Sequence, residues 1–216
     1  MSSFPAVLIG EDVFFEHDAH AYLDADGLTQ RMSVTQAIKI AGLIDYSMVH
    51  PGVLELAAAR GRLVHQASAL LDRGEDLRDY EIPSACEPYI EAYARFCREM
   101  GFTPYPEWVE RPMIVEMFGH RVGMTPDAVG TIDGVPTVLE RKATSAAHPS
   151  WAIQTAGYEE GLRIAGLQIR QRVAVQLLRT GKYHPFFYED QGDSQIFADA
   201  FRLAAWKVKH KLARLA

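Results

Sequence analysis

Gly119-His-Arg-Val-Gly-Met-Thr-Pro-Asp-Ala-Val-Gly-Thr-Ile-Asp-Gly-Val-Pro-Thr-Val-Leu-Glu-Arg-Lys142 is the stretch whose reading decides the fold. Two apolar runs flank Thr131-Ile-Asp-Gly134, and Asp-Gly between such runs signals a tight hairpin. Asp127 follows a proline near the end of the first run, and Glu140 and Lys142 stand two apart in the second. Strand side chains alternate faces, so Glu140 and Lys142 share one side while Leu139 and Arg141 point to the other. Folding the hairpin brings Asp127 near Glu140. Two carboxylates and an amine converging on a pocket suit a hard divalent cation that activates water.

Working outward, Pro149-Ser150 opens a helix that the spacing predicts from Trp151 to about Ala165. Gln154 and Tyr158 meet on one face of it, four residues apart. Upstream, Pro51 starts a helical pattern that runs to about Arg73, with Leu54, Ala58, Leu63, Ala67, Leu70 and Leu71 as an apolar stripe. Gly61 interrupts this helix at a cost in propensity, and His65 follows on the same face. Taken alone, His65 reads more often as a hydrogen-bonded core histidine than as a ligand; beside the downstream residues it reads as a metal ligand through a ring nitrogen.

These pieces together resemble one family. Pro126-Asp127 with Glu140-Arg141-Lys142 resembles the PD-(D/E)XK nuclease signature. Gln154 and Tyr158 resemble the Q-x-x-x-Y extension of its RecB-like branch, and Gly61-Arg-Leu-Val-His65 the G-x-x-x-H helix motif of that branch. The resemblance runs from Ser33 to the C-terminal helix, and the phage-type exonucleases of the family share the entry segment with His20-x-Tyr22 and Ser33-Val-Thr. It implies an α/β (α+β) fold with a restriction-endonuclease-like core, a central mixed β-sheet flanked by helices, and a small N-terminal β unit. It also implies a magnesium- or manganese-dependent deoxyribonuclease that acts as an exonuclease on single-stranded or duplex DNA ends, in recombination, repair or phage DNA processing. Some relatives work beside a single-strand annealing protein, the protein partner implied here.

By the same resemblance, Asp127, Glu140, Lys142, Gln154 and Tyr158 are the catalytic set. His65, Asp127, Glu140 and the backbone carbonyl of Arg141 are the metal ligands. Glu110 stands where many members carry a further acidic residue, with Glu107 and Glu116 as rivals. Members with an iron–sulfur cluster use four cysteine ligands, and this chain has only Cys86 and Cys97. These lie eleven apart on one expected helix, about 16 Å along its axis and beyond disulfide reach.

The remaining sequence is bounded more simply. The chain has 216 residues, 48% of them hydrophobic and 23% charged, which suits one domain able to bury a core. The expected division is a β unit over residues 1–32, then a helical entry and catalytic core over 33–216. No apolar run approaches the length of about 18 residues that a membrane span needs, and no signal peptide is read at the N-terminus, so a cytoplasmic protein is expected. A net charge of −6 leaves room for DNA only along a local basic surface. Arg62, Trp151, Lys207 and Lys211 are the candidates for that surface, and Trp108, Trp151 and Tyr105 for stacking bases. The cations near the end of the C-terminal helix, expected over 194–215, equally complement the helix dipole. Thr35 is the expected cap of a helix after Ser33, residues 84–100 are an amphipathic helix, and Tyr105–Pro112 is an edge or entry strand. A non-catalytic DNA-binding or assembly subunit, or a DNA endonuclease, would use the same fold.

Overall fold

The Asp-Gly signal marks a real hairpin: Asp133 and Gly134 both take positive φ, 50° and 80°, as a two-residue hairpin turn of the primed type requires. A computed structural model of the chain describes residues 13–16, 21–24 and 26–215. The hairpin joins Ala128–Ile132 (β7) to Val135–Ala143 (β8), with Ala128 opposite Leu139. Gly130 is required in β7, because a Cβ there would lie 2.2 Å from the carbonyl oxygen of Thr103. That oxygen belongs to the short edge strand β4, Phe102–Pro104.

The main sheet has five strands in the order β10-β9-β8-β7-β4. β9 (Gln171–Leu177) pairs parallel with β8, and every other neighbour is antiparallel, including β10 (Tyr183–Tyr188). The parallel step needs a crossover, and helix α4 (Ser150–Ile164) supplies it. Strand alternation then sorts the core into two layers. Ala128, Leu139, Val173, Val175 and Leu177 face a cluster built on α2 (Pro51–Asp72) and α3 (Glu87–Met100). Val129 and Val138 face the opposite cluster, formed by α4, α1 (Val34–Ala41), α5 (Gly192–Lys209) and the hairpin β5–β6 (Met113–Met117, His120–Met124). The result is a mixed sheet between helical layers.

The N-terminal unit is a small antiparallel sheet of β1 (Val13–Glu16), β2 (Ala21–Asp24) and β3 (Gln30–Arg31). It docks on β6, where the Tyr22 hydroxyl lies 2.6 Å from Thr125 Oγ1 and the Tyr22 ring fills the space a Cβ at Gly123 would need. Residues 1–12, 17–20, His20 among them, and 25 of the expected unit lie outside the described residues.

Several local expectations need correction. Ser33, not Thr35, caps α1: its side chain accepts from the Gln36 backbone and Gln36 answers to the Ser33 backbone, a reciprocal capping box. In α2 Ala67 of the expected stripe is buried, but Ala58 and Leu63 are exposed and Val64, outside that stripe, is buried. Tyr105–Pro112 is not a strand; Pro106–Trp108 forms a 3-10 turn that opens on Pro106, which has no N–H to donate to a ladder. The last helix ends at Lys209, not 215. Helix α4 starts at Ser150 with Pro149 at its cap and no capping side chain from Pro149; the Ser150 N–H donates to His148 Nδ1.

Candidate metal and catalytic site

Three elements meet where β8 leaves the hairpin. Asp127 stands just before β7, and one of its oxygens accepts the backbone N–H of Arg141 in β8. That bond ties the start of one strand to the end of its partner and fixes the carboxylate's aim. His65, in the middle of α2, reaches across so that Nδ1 lies 3.2 Å from Asp127 Oδ1 and Nε2 lies 3.0 Å from the Arg141 carbonyl oxygen. Glu110 follows the 3-10 turn and approaches the same ring at 3.6 Å. One donor atom from each of His65, Glu110 and Asp127 lies within 4.8 Å of the other two.

Such a set can hold a metal ion. An imidazole nitrogen, carboxylate oxygens and an adjacent carbonyl are ordinary ligands for divalent cations. Asp127 is buried, whereas His65 and Glu110 are partly open to solvent, so the cluster has both a buried side and an accessible one. Burial disfavours a charged ring at His65, but the Asp127 carboxylate outweighs it and holds the imidazole's pKa up at about 10. Burial likewise opposes ionisation of Asp127, yet the His65 charge keeps that carboxyl well below its ordinary range. The ring therefore lies between the Asp127 carboxylate and the Arg141 carbonyl.

On the other side of β8, alternation sends Glu140 and Lys142 toward α4. Lys142 Nζ donates to Glu140 Oε1 at 2.6 Å and to Gln154 Oε1 at 2.9 Å. Gln154 Nε2 donates to the same Glu140 oxygen at 2.8 Å and contacts the Tyr158 hydroxyl at 2.9 Å. One polar chain thus runs from Tyr158 through Gln154 to Glu140 and Lys142. Gln154 and Tyr158 are buried, so the i,i+4 pair supports the site instead of decorating a solvated helix. Burial and the nearby Asp127 charge raise the Glu140 carboxyl, against the pull of Lys142. Asp127 and Glu140, two acids near one another, are thereby driven in opposite directions. Among the described residues, nothing hydrogen-bonds to the buried Glu140 Oε2. A buried carboxylate oxygen left open next to an acidic and imidazole cluster is what an absent ligand would satisfy.

Comparison with known proteins found no matching family model and no matching curated protein. Two of the solved structures to which the chain is similar illustrate the likeness. One, described as "Putative exonuclease" from Eubacterium rectale, shares 16% identity over 72% of this chain and 69% of its own, with a TM-score of 0.48. The other, the crystal structure of SSO0001, shares 13% identity over 57% of each chain, with a TM-score of 0.38.

The structure brings together His65, Glu110, Asp127, Glu140, Arg141, Lys142, Gln154 and Tyr158. Glu140 stands beside, not inside, the tight group formed by His65, Glu110 and Asp127. Glu107 and Glu116 are exposed elsewhere. The expected DNA surface fares differently. Trp151 is buried with its ring edge-on to Phe186, and Trp108 is buried too, so neither offers a face to a base. Lys207 is occupied: its ammonium donates to the carbonyls of Ile40 and Ala41 at the C-terminus of α1. Arg62 and Lys211 are exposed. Sequence reasoning missed Asp72 and Tyr93, which lie behind Arg141. Their only signal was a polar pair, one on each of two otherwise apolar helix faces.

Proposed function

We propose that this chain is a metal-dependent deoxyribonuclease of the PD-(D/E)XK superfamily, close to the RecB-like and phage-type exonucleases. We take residues 1–216 as one domain with a restriction-endonuclease-like core. The observation that carries the reading is the convergence of His65, Glu110, Asp127 and the Arg141 carbonyl beside the Lys142–Glu140–Gln154–Tyr158 chain. Elements far apart in sequence supply these groups, so local structure alone does not account for their meeting.

Magnesium or manganese suits the donors, with manganese the more tolerant of an imidazole. Bound there, such an ion supplies the positive charge that lowers the pKa of water and neutralises the attacked phosphate. His65, Glu110 and Asp127 would hold it, and the Arg141 carbonyl and Glu140 stand beside that group. Lys142 presents its ammonium to the scissile phosphate or the attacking water. Gln154 and Tyr158 keep Lys142 and Glu140 in place. Arg62 and Lys211 are free to meet the DNA backbone, which a chain of net charge −6 must contact locally.

The test compares end-labelled linear DNA, single- and double-stranded, with closed circular DNA in magnesium or manganese. Stepwise shortening of linear DNA, with circles intact and activity abolished in Asp127→Ala and Lys142→Ala, is the expected result. Linearised circles would make the protein an endonuclease. Retarded DNA without shortening would make it a binding subunit.

A further inference from the structure

We propose that the Arg141 side chain is the positioning residue of this site: a buried guanidinium fork that holds Glu110 and Asp127 in the orientation from which they meet His65. The inference rests on the proposed metal site, and it concerns the face of β8 opposite to Lys142.

The Arg141 side chain is wholly buried. Nη1 donates to Asp72 Oδ2 at 3.0 Å. Nη2 donates to Glu110 Oε1 at 3.0 Å and to the Asp127 backbone carbonyl at 2.8 Å. Asp72 is fixed in turn by the Tyr93 hydroxyl, which lies 2.7 Å and 2.9 Å from its two oxygens. The Tyr93 ring lies under the guanidinium, 5.1 Å from its carbon. The same residue that offers its backbone carbonyl to His65 on one side therefore braces both acids on the other.

Glu110 shows why a brace is needed. Its φ is +47°, a left-handed conformation disfavoured for any residue with a Cβ. Such a conformation persists where surrounding bonds over-determine it, and it gathers at functional sites. Two bonds do so here. The Glu110 N–H donates to the Asp127 carbonyl at 3.1 Å, and its carboxylate accepts from Arg141. The Asp127 carbonyl receives both the Glu110 N–H and Arg141 Nη2, so the two acid-bearing loops are cross-tied through one oxygen. Only a planar fork reaches Asp72, Glu110 and that carbonyl together; a lysine places the same charge with one point donor. Partners behind ligating groups commonly set metal affinity and activity by about 10- to 100-fold.

The experiment uses the full chain and two variants that keep the local charge: Arg141→Lys, which loses the fork, and Tyr93→Phe, which keeps the ring but frees Asp72. Free Mn2+ is counted by electron paramagnetic resonance during titration, alongside melting temperature and cleavage of labelled DNA. Arg141→Lys is expected to weaken Mn2+ binding about 10- to 100-fold, and Tyr93→Phe several-fold. Both are expected to lower kcat while metal-free DNA affinity stays within threefold. Mn2+ affinity and kcat within threefold of wild type, with only the melting temperature lowered, would reduce Arg141 to a structural residue and overturn the inference. If Arg141→Lys does not fold, Tyr93→Phe decides by the same measurements. Wild-type protein that binds no Mn2+ would instead sink the proposed function, and this inference with it.

Discussion

Replacing Lys142 by Met keeps the length of the side chain and removes its ammonium. Two consequences follow, and their sizes separate them. Lys142 Nζ lies 2.6 Å from Glu140 Oε1, with the lysine side chain 22% and the glutamate 4% exposed. Breaking a fully buried pair costs about 3–5 kcal/mol. Partial exposure of the lysine, and the ability of Glu140 to take up a proton, bring the loss down to about 1–2 kcal/mol. Against a typical stability of about 5–15 kcal/mol, more than about 99% of the variant stays folded. The catalytic loss is larger: a preorganised charge at the reacting phosphate is worth about 10²–10³ in kcat, or roughly 3–4 kcal/mol. Unfolding cannot imitate that fall. The assay is single-turnover cleavage of end-labelled DNA in magnesium, with thermal melts run in parallel. Cleavage by Lys142→Met within threefold of wild type would refute the role given to this ammonium.

Protonation should govern metal uptake. The folded His65 pKa of about 10 exceeds the ordinary imidazole value, so a cation must displace a proton, and Mn2+ affinity should rise roughly tenfold per pH unit between pH 6 and 8. His65→Asn should flatten that slope, and an unchanged slope in calorimetric titrations at several pH values counts against ligation by His65. The same shift stabilises the metal-free fold fully below the unfolded histidine value near pH 6.5 and loses that contribution as pH rises through 10. Gly130→Ala forces a Cβ to within 2.2 Å of the Thr103 carbonyl, which should cost about 1–3 kcal/mol; denaturant melts that match wild type would show that β4 is not held against β7 there. Lys207→Gln should leave DNA affinity within twofold and lower stability by about 0.5–1 kcal/mol, because its ammonium already serves the α1 carbonyls; a tenfold loss of DNA binding would restore it to the DNA surface.

What was legible in the sequence was local or periodic. Asp133-Gly134 announced the hairpin because those residue types tolerate the positive φ they adopt. Strand alternation placed Glu140 and Lys142 on one side and Arg141 on the other, and helical spacing paired Gln154 with Tyr158. What was hidden depends on long-range contact. No neighbour of Glu110 announces its left-handed backbone, which is held from Asp127 and Arg141. Asp72 and Tyr93 meet only because α2 and α3 pack on one sheet face, and a polar residue on an apolar stripe does not name its partner. Trp151 and Lys207 misled for a similar reason: an aromatic or a cation reads alike in sequence whether it faces DNA, Phe186 or the end of another helix. The shift from Thr35 to Ser33 as cap shows the smaller error, since either hydroxyl fits locally and only Gln36 decides for Ser33.

The most direct test of the account is a crystal of the protein grown with Mn2+ and measured for anomalous scattering. The expected result is a peak coordinated by a His65 ring nitrogen, Glu110 and Asp127, next to the Arg141 carbonyl, with the ring turned away from its present position between Asp127 and that carbonyl. A peak elsewhere, or no peak while His65 still spans Asp127 and that carbonyl at millimolar Mn2+, would contradict it.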